Sequence, residues 1–126
     1  MVWLQEEYIS FETAKLLQEK NVEFNIHTFY NYKGEIEEHT LTTLDKTRGE
    51  YYAPTQSLVL RWLREEYNIY VMIDKDFATT NGWHYYIATK ETWNYSEAEH
   101  IQQESNNYSF EYACEEAIKY CLNNLI

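Results

Sequence analysis

Residues 53–74, APTQSLVLRWLREEYNIYVMID, change their hydrophobic period once, and that change constrains the fold more than any other feature of the chain. Leu58, Val59, Trp62 and Leu63 recur at helical spacing while Ser57, Arg61 and Arg64 fall on the other side, which predicts an amphipathic helix over 55–67. Pro54 suits the approach to its first turn, where an N–H would have no partner inside the helix. NIYVMID then alternates with period two, and Asn81-Gly82 is a turn signal ahead of WHYYIATK as a returning strand. Trp62, Leu63 and Ile69 are expected in the core.

The same succession occurs upstream. SFETAKLLQEK predicts a first helix near 10–19, with Ser10 as N-cap and Ile9 packing toward Ala14. Phe24, Ile26, Thr28 and Tyr30 then alternate, and Lys33-Gly34 offers a turn into EIEEHTLTTL, so a hairpin follows. At the other end Phe110, Ala113, Cys114, Ala117, Ile118, Cys121 and Leu122 form a three-four stripe behind Ser109, a helix near 109–123. Residues 90–108 are polar and weakly periodic, a long connection with one helical turn around Ser96–Gln103.

The order α-β-β-α-β-β-α, with hairpins in place of βαβ spacing, predicts an α+β domain: an antiparallel sheet of about four strands, in two hairpins, packed with three helices. At 126 residues, 44% of them hydrophobic, the chain suits a single domain over 1–126. It has no basic leader or long apolar run, which predicts a cytoplasmic protein with no membrane association. Cys114 and Cys121, seven apart on one helix, are separated by about 10 Å of rise, too far for a disulfide.

Charge narrows the function classes. Twenty-one acidic residues against ten basic ones give a net charge of −11. Phosphate backbones are bound by clustered Lys and Arg, so direct nucleic-acid binding is not expected, whereas a basic protein surface would be attracted. Acidity of this kind also serves plain solubility. The acidic clusters that could face a partner are Glu35, Glu37 and Glu38, and Asp74 with Asp76; the alternative uses of such pairs are cation binding and acid–base work. Arg61 and Arg64 beside Glu65 and Glu66 suit local ion pairs.

Other chemistry finds little support. His27, His39, His84 and His100 are scattered without metal-ligand spacing, although His27 and His84, on predicted strands, could meet across the sheet. There is no GxSxG and no Gly-rich loop, so no enzyme activity, cofactor or metal is expected. The thirteen tyrosines are the compositional oddity. Neighbours on a strand point to opposite faces, so some of these rings reach the surface, and Tyr51, Tyr52 and Tyr95 join the candidate binding residues. Sheet propensity and core filling account for tyrosines equally well.

YISFETAKLLQEK, APTQSLVLRWLREEYNIYV, NGWHYYI and FEYACEEAIKYCLNNLI together resemble a family of small orphan proteins carried by phages and mobile elements of gut and related anaerobic or low-GC bacteria. The likeness runs nearly end to end and is most specific in PTQSLVLRWLRE. It departs at Val22-Glu23, where the family pattern has Gly-Phe. The resemblance brings no catalytic or binding residue with it; what it implies is a setting. Small acidic phage proteins of this kind are often inhibitors of host machinery. The expectation is therefore a non-enzymatic phage or prophage protein that inhibits a basic host nucleic-acid-handling protein, above all an RNA-guided CRISPR nuclease, as anti-CRISPR proteins do. The alternative is a phage accessory or virion-associated structural protein.

Overall fold

The structure, a computed structural model, describes residues 4, 6–38, 44, 46–76, 82–89 and 109–126. It is an α+β fold with antiparallel pairing, and it divides into two compact units, Met1–Gln56 and Ser57–Ile126. The strands form two separate sheets, one of three strands and one of two.

In the first unit, α1 (Phe11–Glu19) starts where the sequence predicts, because Ser10 Oγ accepts the Thr13 N–H at 3.2 Å and satisfies an otherwise unpaired donor of the first turn. Its end depends on Asn21, held at φ 57°: the Asn21 N–H bonds Gln18 O and the Val22 N–H bonds Leu17 O, a Schellman closure with Asn in the place that glycine usually takes.

The hairpin that follows is shorter than the alternation suggests. Strand β1 (Thr28–Tyr30) pairs with β2 (Ile36–Glu38), while Asn25 and His27 lie at bends ahead of the ladder. Residues 39–43 fall outside the described residues. The turn is built by Asn31, whose Oδ1 accepts the N–H groups of Lys33 and Glu35 at 2.9 and 3.0 Å, and Gly34 follows at φ 77°. Strand β3 (Tyr51–Tyr52), which the sequence pattern does not announce, adds to the other side of β1 and gives the order β2-β1-β3. Thr28 grips the residue after β3 twice: its carbonyl accepts the Ala53 N–H and its hydroxyl donates to Ala53 O. A further antiparallel bridge joins Tyr8 to Thr55, flanked by Ile9 N–H to Pro54 O and Gln56 N–H to Glu7 O. Ile9, Ala14, Leu17, Phe29, Tyr30 and Ala53 are buried.

The second unit takes in α2 (Gln56–Tyr67) from Ser57 onward. Val59 and Leu63 are fully buried, whereas Leu58 and Trp62 are only half-buried. Trp62 is therefore not the core residue its place on the stripe suggests: its indole lies edge-on against the ring of Tyr67, 5.2 Å away. Asn68, at φ 54°, then turns the chain into β4 (Ile69–Asp76). Its partner β5 (Gly82–Thr89) runs in unbroken register, from Ile69 opposite Thr89 to Asp76 opposite Gly82. Gly82 is thus a strand residue and not half of a two-residue turn; Asn81 falls outside the described residues.

Helix α3 (Phe110–Asn124), capped by Ser109 Oγ on the Tyr112 N–H, packs on this ribbon. Ala113, Cys114, Ala117, Ile118, Cys121 and Leu122 are all buried, as their spacing predicts. Phe110 is not; at the helix start it is exposed and meets Trp83 edge-on at 5.8 Å. The turn expected around Ser96–Gln103 lies outside the described residues.

Candidate functional site

The acidic residues singled out by sequence separate into two places. Glu35, Glu37 and Glu38 are exposed in the first unit, at the end of the Asn31 turn and along β2. All of β2 is exposed, Ile36 included, because β2 is the outer strand of its sheet. Period-two geometry puts Glu35 and Glu37 on one face and Ile36 and Glu38 on the other, so the three carboxylates flank the strand instead of converging.

Asp74 and Asp76 belong to the other sheet. Asp74 is exposed on β4 and opposite His84, and Asp76 pairs through its backbone with Gly82. The face of Asp74 also carries Tyr70, Met72, His84 and Tyr86, while Ile69, Tyr85 and Ile87 of the opposite face are buried. Lys75 Nζ sits 5.2 Å from the centre of the Trp83 ring, its cross-strand partner. His27, at its bend in the first unit, is not a cross-strand partner of His84, whose partner is Asp74. His39 and His100 lie outside the described residues.

Of the tyrosines, Tyr51 and Tyr52 are half-buried on β3. The Tyr51 ring is committed to packing: Phe11 meets it edge-on at 5.6 Å and meets Tyr30 at 5.5 Å, with Lys15 Nζ 4.3 Å above the Phe11 ring. Phe11, which the sequence pattern leaves unassigned as the first helical residue, thus joins α1 to β1 and β3. Tyr95 lies outside the described residues. Arg61 and Glu65 form the expected i,i+4 pair, Nε to Oε1 at 3.0 Å, on an exposed face where such a pair is worth little.

Both cysteines are buried on α3. Burial pushes the Cys114 thiol up to about 12, with Glu115 and Glu111 adding to the shift, and burial pushes Cys121 up to about 12 as well. Neither supplies the thiolate that thiol chemistry needs at neutral pH. Tyr85 is raised in the same way, by burial first and then by Glu116, Cys121 and Tyr120. Among the described residues no group of three His, Cys, Asp or Glu side chains converges as a metal ion would require, and no helix is long and apolar enough to cross a membrane.

The three glutamates that the sequence singles out thus lie along or just ahead of β2, the outer strand of the first sheet, whose signal in the sequence is the alternation Glu35-Ile36-Glu37. Neither a protein-family model nor a curated protein nor a solved structure matches this chain.

Proposed function

We propose that this chain is a non-enzymatic inhibitor that binds a basic surface of a host nucleic-acid-handling protein, specifically an RNA-guided CRISPR nuclease. The observation that carries the reading is the exposure of Glu35, Glu37 and Glu38 at and along the outer strand of the first sheet. A channel that holds nucleic acid must present Lys and Arg to neutralise phosphates, and carboxylates on a chain of net charge −11 compete for the same cations. Such a field acts mainly on the rate of encounter. The resemblance to phage and mobile-element proteins supports the choice of partner.

The test is a binding measurement against purified RNA-guided nucleases with the triple variant Glu35→Gln, Glu37→Gln and Glu38→Gln. Its association rate is expected to fall about tenfold at about 0.1 M salt with its melting temperature unchanged. The wild-type rate should fall as salt shortens the Debye length from about 10 Å to about 3 Å. An association rate indifferent to the substitutions and to salt removes electrostatic competition. Recovery of phage structural proteins, with no nuclease bound, favours the accessory or virion-associated role.

A further inference from the structure

We propose that β2 is a docking edge for an extended, Lys- or Arg-rich segment of a partner protein, which adds to the three-stranded sheet as its fourth strand. The register determines which groups are on offer. Asn31 N–H donates to Glu35 O, and in an antiparallel ladder hydrogen-bonded pairs alternate with non-bonded ones. Phe29 and Glu37 are then the next bonded pair, while the N–H and C=O groups of Ile36 and Glu38 turn away from β1 toward the open edge. Among the described residues no strand lies beyond β2. These groups are available to an added strand, and main-chain bonds of this kind supply the affinity in strand addition.

Charge selects the occupant. Exposed edges are usually defended by charged side chains, Lys above all, by Pro, by a bulge or by a cover; here the defending charges are three carboxylates in the four residues 35–38, which disfavour acidic and neutral strands but not a basic one. A second copy of the chain would bring the same carboxylates to the same edge, and like charges placed opposite one another destabilise a strand pair. A basic strand turns the repulsions at Glu35 and Glu37 into attractions. Alternation then sets its pattern: cations beside Glu35 and Glu37 on one face, and an aliphatic residue against Ile36, which is 41% exposed, on the other. The inference rests on the proposed binding role, but its test needs no host protein, so the two can fail separately.

The full chain, labelled for NMR, is titrated with a blocked peptide of about eight residues alternating Lys and Val, at about 0.1 M salt. Shifts are expected at residues 35–38 and along β1, with slowed amide exchange at Ile36 and Glu38. The same peptide N-methylated at the residues that face the edge keeps its charge and loses its main-chain donors; it should bind about tenfold more weakly. Ile36→Pro removes an N–H that faces away from β1, so it should keep its melting temperature and also lose about tenfold in affinity. Equal binding of methylated and unmethylated peptides to the wild type overturns strand addition, whatever the fate of the proline variant. So do shifts located elsewhere. A chain that takes the peptide on this edge yet leaves every nuclease active supports the docking edge and overturns only the inhibitor reading.

Discussion

The phenolic hydroxyl of Tyr30 donates a hydrogen bond to the carbonyl oxygen of Ile9, between residues that are both buried and lie 21 positions apart. Ile9 also donates its N–H to Pro54 O, so one residue connects the segment before α1 to β1 and to the approach to α2. Tyr30→Phe keeps the ring in contact with Phe11 and removes only the donor. It is expected to cost about 1–3 kcal/mol, since the Ile9 carbonyl is left unsatisfied inside the protein. Urea denaturation should show a lower midpoint with the slope unchanged.

The left-handed residue after α2 provides a backbone test. Asn68 adopts φ 54° and its N–H bonds Arg64 O. Asn68→Gly removes the steric cost and should leave the melting temperature equal or higher, whereas Asn68→Val should cost about 1–2 kcal/mol. Equal melting of the two variants would mean that Asn68 does not hold this geometry in solution.

Leu63 and Trp62 are adjacent on α2, yet their substitutions should rank against residue size. Leu63 is fully buried, so Leu63→Ala is expected to cost about 2–5 kcal/mol. Trp62 is only half-buried and its ring meets Tyr67 edge-on, so Trp62→Ala is expected to cost less, about 1–2 kcal/mol. Thermal melts of the two variants, measured side by side, check the order.

The buried thiols predict an alkaline weakening. In the unfolded chain they ionise near 9, and in the folded one near about 12, so above pH 9 the unfolded state holds fewer protons than the native state. Stability from this source is complete below pH 9 and is lost progressively as pH rises toward about 12. A Cys114→Ala, Cys121→Ala double variant should show a flatter decline across that window in denaturation measurements. In the wild type, thiol reagents at neutral pH should label neither cysteine until the chain is unfolded.

The edge of β2 illustrates why the site was only partly visible in the sequence. That Glu35, Glu37 and Glu38 would be exposed follows from their charge and needs no fold. That they border the outer edge of the sheet formed by the described residues does not follow, because it requires knowing on which side of β1 the two-residue β3 attaches. Two tyrosines in a row have no period to read, and their pairing with Phe29 and Tyr30 closes a loop of about twenty residues.

Features that depend on neighbours within a turn or two are legible in the residues themselves. The helices begin at Ser10 and Ser109 because a hydroxyl there can reach an N–H three residues on. The ribbon of β4 and β5 and the buried stripe of α3 follow from periods of two and of about 3.6. The division of the strands into two sheets, the pairing of residues 7–9 with 54–56, and the half-buried place of Trp62 beside a buried Thr13 in the first unit are not legible there. Those outcomes depend on contacts between distant segments, where many pairings satisfy the same local pattern and the free energy of packing selects one of them.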